Sequence, residues 1–407
     1  MMFRSEKIIV GLEIGTAKVC AVVGESGADG TTNIIGVGAV PSRGVRKGEI
    51  VDTNKAEEDI RAALAEAEQK ADVEIESVML GVSGSHIHGF NNRGVQNITA
   101  SDGEIDGEDV EDVLRQASSI NLPSDSEKIH TVRQHFHVDQ HEGIVDPVGM
   151  LGSRLEVDVH VVYGQRNRLQ NPIRAVCGLQ VEVEAIAFNG RASALAVLTP
   201  DQCELGALLI DLGAGTTEYV VYANGTPRHS GVLAVGGDHV TNDIAMGLKL
   251  SLNRAEQIKT ENGSAVPDHT VNGDTIDLSS DLGFADQTVK LAHLQIIIHS
   301  RVEEIFQLIR QDLEEVGLVT ELRGGVYLTG GGAHMKAIAD LAGDVLGCPA
   351  TVARDQSDSG LQDVLDRPEY HTAIGLVKYG ARQPDLRRAS GFFGKILGKA
   401  RRKLARH

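Results

Sequence analysis

Apolar and polar positions alternate along this chain in two similar series of strands and helices. In the first series the strand-like runs are Ile8–Ile14, Lys18–Gly24, Asn33–Val40 and Ser77–Gly81. Thr53 is placed to N-cap a helix that reaches about Lys70. In the second series the strands are Ala207–Leu212, Glu218–Ala223 and about Arg228–Ala234, before a helix from about Gly237. Because strands alternate with helices and the order occurs twice, the pattern predicts an α/β protein with duplicated domains.

The same short motif opens both series. Val10–Val19 and Leu209–Val220 each contain an apolar strand that ends in an acid, a turn of Gly and Thr, and a second apolar strand. At such a hairpin tip the backbone N–H groups form an anion nest, Thr adds a hydroxyl donor and the acid can hold a hydrated Mg²⁺. One copy alone is equally typical of an ordinary hairpin. Two copies facing each other would hold a nucleoside triphosphate between two related domains.

Candidate binding residues follow from these hairpins. For the phosphates they are Glu13, Gly15, Thr16, Ala17, Lys18, Asp211, Gly213, Gly215, Thr216 and Thr217, with Glu13 and Asp211 as candidate Mg²⁺ ligands through water. Three further glycine clusters are Gly236-Gly237-Asp238, Gly330-Gly331-Gly332 and His371–Val377, the last of which is expected to start a helix of small residues. Each of these could be a tight turn without a ligand, but together with the hairpins they predict one nucleotide site.

Two segments interrupt the duplicated series. Residues 84 to about 162 contain strand-like runs, an acidic helix at Glu108–Ser118 and several turn residues, which predicts an inserted α+β subdomain. Residues 251 to about 322 end in a long amphipathic helix near Val289–Val316. Apolar residues at helical spacing predict a core-facing stripe on this helix, formed by Leu291, Leu294, Ile298, Val302, Ile305 and Ile309.

Length and composition narrow the class of protein. A chain of 407 residues exceeds one compact core, and its 41% hydrophobic and 24% charged residues are ordinary for a globular protein. Its first residues lead into a strand without a secretory leader, and no apolar run approaches the ~20 residues of a membrane span. A cytosolic location is therefore expected. The four cysteines are far apart and predict neither disulfides nor a zinc site.

Charge is distributed unevenly along the chain. The formal net charge is −18, but residues 381–407 contain nine Lys or Arg and one acid. This tail carries +8, which leaves −26 for the rest of the chain. Because an acidic body repels nucleic acid, attraction to anions is expected only at the tail, and no nucleic-acid partner is expected.

The tail from Gly391 to Arg406 has the pattern of an amphipathic helix. On a helical projection its apolar residues fall within an arc of about 140°, with most of the basic residues opposite. The expected membrane-binding residues are Phe392, Phe393, Lys395, Ile396, Leu397, Lys399, Arg401, Arg402 and Leu404. Aromatic residues opposite bases are typical of a helix lying in an anionic lipid surface. A helix docked on its own domain would not need so many bases, and a nucleic-acid arm would not need the apolar cluster.

Together these motifs resemble those of the actin, Hsp70 and sugar-kinase superfamily, and within it the FtsA family of bacterial cell-division proteins. The similarity comprises the two hairpins, a connecting helix from Phe188, Gly236-Gly237-Asp238, Glu256 with Lys259, the turn Gly330–Gly332 and a second connecting helix at Ala373–Gly380. The resemblance implies ATP or ADP with Mg²⁺ as cofactors. It also implies that Glu256 and Lys259 face the ribose and adenine, and that Gly331 and Gly332 cover the base.

The resemblance implies a particular division of the chain. Two duplicated actin/Hsp70-like (ribonuclease H-like) domains would enclose a nucleotide cleft, with an inserted α+β subdomain in the first half and a C-terminal amphipathic helix. The expected boundaries are 1–83, 163–203 and part of 369–380 for the first core, 84–162 for the insert, 204–250 and 323–368 for the second core, 251–322 for its outer subdomain, 381–390 for a linker and 391–407 for the helix.

The resemblance also implies a function in cell division. Proteins of this family polymerise on the cytoplasmic side of the cell inner membrane at the division septum, tether the FtsZ ring to it and recruit later divisome proteins. The first implied partner is the FtsZ C-terminal peptide, which would dock on residues 251–322. Further copies of this chain and FtsN would both contact residues 84–162. The last implied partner is the anionic lipid of the membrane.

Two departures from the superfamily pattern bear on catalysis. Glu13 stands where most members have Asp, and Asn189 stands where faster relatives place a Glu or Gln to orient the attacking water. Asn can position water but cannot act as a base. Asn189 and Asp211 are therefore the catalytic candidates of a protein expected to bind ATP tightly with slow or negligible ATPase activity.

Three other functions of the same superfamily are open to this sequence. A sugar or small-metabolite kinase would need a catalytic Asp in the cleft, for which Asp238 is the best candidate, and would have no use for a lipid-binding tail. An Hsp70-type chaperone would need a substrate-binding β domain. A pilus-assembly actin-like protein would share the insert and the fold but is expected to lack the amphipathic terminus.

Overall fold

The structure, a computed structural model, describes residues 7–27, 31–268, 270, 273–277, 288–356 and 360–382. The predicted linker beyond Arg382 and the predicted amphipathic helix at 391–407 lie outside these residues. The described chain forms two lobes, each built on a five-stranded sheet, and an inserted subdomain with its own four-stranded sheet.

The first lobe is built from segments on both sides of the insert. Its elements are β1 (Lys7–Ile14), β2 (Lys18–Ser26), β3 (Thr32–Pro41), β4 (Val45–Arg46), β5 (Glu49–Ile50), α1 (Thr53–Ala71), β6 (Ser77–Val82), α3 (Arg166–Gly178) and β11 (Glu182–Phe188). The sheet order is β11-β6-β1-β2-β3, with β1 antiparallel to β2 and parallel to β6. Helices α1 and α3 bury a core that includes Leu12, Ile60 and Val176.

The second lobe repeats this arrangement. Its elements are β12 (Ala207–Leu212), β13 (Thr217–Ala223), β14 (Thr226–Leu233), α6 (Gly237–Leu248), α7 (Leu252–Asn262), β15 (Thr275–Asp277), β16 (Thr288–Lys290), α8 (Leu291–Glu315), β17 (Gly325–Thr329), α9 (Ile338–Leu346) and β18 (Ala350–Val352). The sheet order is β14-β13-β12-β17-β18, with β12 antiparallel to β13 and parallel to β17. Because strand order and the switch from antiparallel to parallel pairing coincide in the two lobes, the predicted duplicated α/β fold is confirmed.

Two helices join the lobes. α4 (Asn189–Val197) leaves the first lobe and leads through α5 (Pro200–Leu205) into β12. α11 (His371–Arg382), preceded by α10 (Gln362–Leu365), returns from the second lobe and packs against β1 and α4. These helices lie in an apolar core shared by the lobes, which includes Leu209, Val220 and Ile374. Burial of this shared core resists separation of the lobes.

The insert is an antiparallel sheet with one helix. It comprises β7 (Ile87–Asn97), α2 (Gly107–Ser118), β8 (Ser126–Val138), β9 (His141–Ile144) and β10 (Arg154–Gln165), in the sheet order β7-β10-β8-β9. A capping box starts α2, because the side chain of Asp106 accepts from the backbone N–H of Asp109 and the Asp109 side chain accepts in return. Phe136 and Leu155 lie in the core between helix and sheet.

A polar cluster connects the insert to β14 of the second lobe. The His160 ring donates from Nδ1 to Asn91 Oδ1 and accepts at Nε2 from Ser230 Oγ, each at 2.8 Å. The Asn91 amide donates to the Arg228 carbonyl at 2.8 Å, and the Gln134 amide donates to the Pro227 carbonyl at 2.6 Å. His160 is buried, so these bonds replace water for every polar atom of its ring.

The outer part of the second lobe contains the predicted long helix, α8. Five residues of its predicted stripe are buried, namely Leu294, Ile298, Val302, Ile305 and Ile309, and Leu291 is partly buried against the same core. The stripe therefore faces the core as the helical spacing predicts. Within the described part of the chain, every helix is too short or too polar to cross a membrane.

Two predicted boundaries differ from the structure. The N-cap of α1 is Asp52, whose side chain accepts from the Lys55 N–H at 3.2 Å, and Thr53 is the first helical residue. Asp is the stronger N-cap of the two, which accounts for the shift by one position. At the other end of the chain, α11 continues to Arg382, so it includes the first two positions of the predicted linker.

Candidate functional site

The two predicted phosphate hairpins face each other across the cleft between the lobes. Each tip is closed by one backbone bond, Gly15 N–H to Lys18 O and Gly213 N–H to Thr216 O, both at 2.9 Å. A Cβ on Gly215 would lie 2.5 Å from Thr16 Oγ1 and 2.8 Å from Lys47 Cα. The second hairpin thus needs glycine where it approaches the first, and the turn between β4 and β5 lies beside both tips.

The acid of the first hairpin is paired with a neighbouring base. Lys18 Nζ lies 2.6 Å from Glu13 Oε2. Burial raises the pKa of Glu13, while Lys18 acts in the opposite direction. Burial alone would lower the pKa of Lys18, but the charge and hydrogen bond of Glu13, together with the charges of Cys20 and Asp211, outweigh burial, and the net shift is upward. Two predicted ligand-binding side chains therefore bind each other, although for Glu13 burial outweighs Lys18 and the net pKa shift is upward.

The acid of the second hairpin is bound by both connecting helices. Asp211 Oδ2 accepts from Ser193 Oγ of α4 at 2.6 Å and from Thr372 Oγ1 of α11 at 2.9 Å. All three side chains are buried. Neither Ser193 nor Thr372 was singled out as a predicted site residue, although Thr372 lies within the predicted segment His371–Val377. A lone hydroxyl in a small-residue helix carries no distinct signal.

A third acid, Glu218, is buried behind the second hairpin. Its Oε1 accepts from Thr216 Oγ1 at 2.8 Å and from the Ser83 hydroxyl across the cleft. Burial, reinforced by the nearby charge of Asp211, raises the pKa of Glu218 to about 8. Glu218 was not among the predicted site residues, although an acid inside the otherwise uncharged strand from Thr217 to Ala223 is a usable signal.

The turn Gly236-Gly237-Asp238 lies directly behind the tip of the second hairpin. Gly237 N–H donates to Gly213 O at 2.9 Å, and Asp238 N–H donates to Ala214 O at 2.8 Å. A Cβ on Gly236 would lie 2.5 Å from Gly213 O. These two amides are already bonded within the protein, so the turn supports the second hairpin and does not offer these N–H groups to a ligand.

The predicted ribose and adenine residues lie on α7 beside this turn. Lys259 Nζ is 2.7 Å from Glu256 Oε2 and donates to Gly237 O at 3.2 Å. The Thr241 hydroxyl also bonds Glu256. Lys259 thereby connects α7 to the start of α6, at the level of the second hairpin.

The glycine turn after β17 combines a tight position with an open one. Gly330 has φ +80°, and a Cβ there would meet the backbone of Leu212 at 2.7 Å. By contrast, no protein atom in the described chain lies within 4 Å of a Cβ built on Gly331. Gly330 is thus required by the fold, whereas the space beside Gly331 is available to a ligand.

Asn189, the candidate for positioning water, is the first residue of α4, one turn before Ser193. It is buried, and its Oδ1 has no hydrogen-bond partner within the described residues. A buried acceptor without a donor is costly unless a ligand or water completes it.

The residues present fit a nucleotide bound with a hydrated cation. The facing tips, the open space beside Gly331 and the unsatisfied oxygen of Asn189 are features that a nucleotide and its waters would complete. Among the described residues, no cluster of three or more acidic, His or Cys side chains is arranged to hold a metal directly. The assignment of Glu13 and Asp211 as Mg²⁺ ligands through water stays a prediction.

Comparison with known proteins gives two family matches. A model described as "Cell division protein FtsA" matches residues 208–375, and one described as "SHS2 domain inserted in FTSA" matches residues 84–163. The second match falls on the segment that interrupts the first lobe.

Similar proteins extend over nearly the whole chain. The "Cell division protein FtsA" of Pseudomonas aeruginosa is 38% identical, covering 93% of this chain and 91% of that protein. That of Borreliella burgdorferi is 35% identical, covering 98% of this chain and 96% of that protein. That of Escherichia coli (strain K12) is 36% identical, covering 92% of this chain and 90% of that protein.

Solved structures with the same fold include a "PilM-PilN type IV pilus biogenesis complex" (TM-score 0.63, 18% identity, 92% of this chain and 99% of that one). MreB5 of Spiroplasma citri bound to ADP has a TM-score of 0.54 and 15% identity over 91% of this chain and 94% of its own. Such neighbours place the chain among actin-like folds, some of which bind nucleotide. Together with the near full-length relatives, they show that the chain belongs to the FtsA family of actin-like cell-division proteins.

Proposed function

We propose that this chain binds ATP or ADP with Mg²⁺ between its lobes. The observation that carries the proposal is the contact of the two hairpin tips, where Gly215 lies against Thr16. Backbone N–H groups and hydroxyls at these tips would bind the phosphates, and Glu13 and Asp211 would accept from the waters of Mg²⁺. Glu256, Lys259 and the turn at Gly331 would hold the nucleoside.

We infer that turnover is slow or negligible. Asn189 is the only candidate that sequence reasoning offers for orienting a water, and an amide cannot accept the proton that the water must lose. The bound nucleotide would then act mainly as a clamp between the lobes. Calorimetry with magnesium-complexed ATP tests the binding, and phosphate release at many turnovers per second would contradict this view of Asn189.

The cellular role that we propose is attachment of the FtsZ ring to the cytoplasmic face of the inner membrane at the division septum. The chain would polymerise there, bind the FtsZ C-terminal peptide through residues 251–322 and recruit FtsN and other divisome proteins through the insert. Support comes from the relatives, which are named cell-division proteins and match over at least 90% of both chains. The basic amphipathic pattern at 391–407 supplies the membrane attachment.

Vesicle sedimentation tests the attachment. The full chain is compared with one that ends at Arg382, because α11 is described as far as Arg382 and a cut at Gly380 would remove part of it. With vesicles that contain phosphatidylglycerol, the full chain should sediment and the shortened chain should stay in solution. Replacement of Phe392 and Phe393 by Ala keeps every base but removes apolar area, and should also reduce binding.

The same vesicles are used to test whether this chain attaches FtsZ to the membrane. FtsZ should sediment only when the full chain is present, and FtsZ without its C-terminal peptide should not. Equal sedimentation of the full and shortened chains would refute the membrane anchor. Recruitment of FtsZ that is independent of its C-terminal peptide would refute the docking mode while leaving the anchor in place.

A further inference from the structure

Two hydroxyls from separate parts of the chain share one oxygen of Asp211. Ser193 Oγ donates to Oδ2 at 2.6 Å and Thr372 Oγ1 donates to the same atom at 2.9 Å, while the two hydroxyls lie 2.9 Å from each other. Relative exposure is 0% for Ser193, 4% for Thr372 and 6% for Asp211. Charge-assisted bonds of this length to a carboxylate are stronger than ordinary ones and fix its orientation.

The other carboxylate oxygen of Asp211, Oδ1, lies beside the glycine turn that follows β17. Oδ1 lies so close to Gly330 that a Cβ on that glycine would overlap it. Gly330 is the tight position of the glycine turn, with φ +80°. The Asp211 side chain is therefore held between a hydroxyl pair on one side and the backbone of a left-handed glycine on the other, with little freedom to rotate.

The hydroxyl pair belongs to the two helices that join the lobes. Ser193 lies within α4, and Thr372 is the second residue of α11. These helices are in close contact, since a Cβ on Gly375 would overlap the carbonyl of Ala192. This close crossing of α4 and α11 accompanies the convergence of the two hydroxyls on one carboxylate oxygen.

We propose that Ser193 and Thr372 are positioning residues for the magnesium-facing carboxylate of Asp211. Their hydroxyls hold Oδ2, so that Oδ1 is set to accept from a water bound to Mg²⁺. Outer hydrogen bonds of this kind orient the groups that bind a metal and commonly alter metal affinity by about 10- to 100-fold when removed. The inference rests on the proposed nucleotide site and assigns within it the groups that confer its dependence on magnesium.

The test is calorimetry of the full chain with ATP, once in excess Mg²⁺ and once in EDTA. Ser193→Ala and Thr372→Val each remove one hydroxyl, and Val keeps the shape of Thr. Each should weaken binding about tenfold in Mg²⁺ and change it less than about twofold in EDTA. Thr372→Ser keeps the hydroxyl and should bind as the parent does.

Two further variants separate positioning from a general structural effect. Ser230→Ala removes another buried hydroxyl, which bonds His160 far from this carboxylate, and should leave both affinities unchanged. In an Asp211→Asn background the Ser193 and Thr372 substitutions should have no further effect, because their only route to the metal has gone. If Ser193→Ala does not fold, the near-isosteric Thr372→Val carries the comparison.

The outcomes distinguish this inference from the proposal on which it rests. Equal weakening with and without Mg²⁺, no weakening in either, or undiminished effects in the Asp211→Asn background would each overturn the positioning role while ATP binding stands. Failure of the unmodified chain to bind magnesium-complexed ATP would overturn the nucleotide site and this inference together.

Discussion

Gly375 of α11 lies directly against the carbonyl group of Ala192 in α4, with no room for a Cβ between them. The contact joins the two helices that connect the lobes. Gly11 of β1 meets the Ala373 carbonyl in the same way. Small residues on α4 and α11 therefore serve close packing at the joint, which explains their composition without a ligand.

Gly375→Ala should destabilise the joint between the lobes. The added methyl cannot fit without moving α4 or α11, and overpacking of this kind costs about 1–3 kcal/mol. We expect the thermal unfolding midpoint to fall by several degrees. Gly107→Ala is the matched control, because none of the described residues places an atom within 4 Å of its Cβ position, and it should unfold as the parent does. An unchanged midpoint for Gly375→Ala would contradict the packing described here.

Adjacent glycines of the turn after β17 should respond differently to Ala. Gly331→Ala should leave the unfolding midpoint unchanged but weaken nucleotide binding, since its Cβ would enter the space assigned to the ligand. Gly330→Ala should lower both, because its backbone at φ 80°, ψ 171° is accessible essentially to glycine alone. The two measurements are thermal unfolding and calorimetry with magnesium-complexed ATP. Full ATP affinity in Gly331→Ala would exclude the base from this position.

Glu218→Gln should change how stability depends on pH in the nucleotide-free chain. Burial and Asp211 raise the pKa of Glu218 to about 8. Between about pH 5 and 8 the folded chain therefore keeps a proton that the unfolded chain has released, and stability falls as pH rises. Gln stays neutral and can still accept from Ser83 and Thr216. In urea unfolding at pH 6 and pH 8, the variant should gain stability over the parent at the higher pH.

A parallel pH dependence in parent and Gln variant would show that Glu218 is ionised in the folded chain. Thr216→Val provides a control, since it removes one donor to Glu218 Oε1 but retains the titrating carboxyl. That control should keep the fall in stability between pH 6 and pH 8.

His160 should make the chain sensitive to acid. Burial, with the charges of His229 and Arg191, lowers the pKa of His160 to about 3. Below about pH 6.5 the unfolded chain takes up a proton that the folded chain refuses, so stability is lost as pH falls, by up to about 1.4 kcal/mol per pH unit. His160→Gln should lose this contribution in urea unfolding between pH 7 and pH 5. Ser230→Ala retains the ring and should keep the parent's slope; a parent whose stability is flat over this range would refute the assignment.

Local patterns were sufficient for much of the fold. β1, β2 and β12 lie within one or two residues of their predicted bounds, because alternation of apolar residues with Gly and Thr turns is a property of neighbouring positions. The stripe of α8 was likewise predicted from spacing alone. The N-cap of α1 was misplaced by one residue, since Asp52 and Thr53 are both capping residues and only the backbone geometry distinguishes them.

The repeated Gly and Thr hairpins determined that this chain has two related halves with a cleft suited to a nucleotide, since each hairpin is written in consecutive residues. Which partners meet across the cleft was decided by the tertiary structure. Ser193 and Thr372 are 179 positions apart and converge on Asp211, and Ser83 reaches Glu218 over 135 positions. Such pairings depend on how α4 and α11 pack and on how the lobes close, and no pattern of neighbouring residues encodes that geometry.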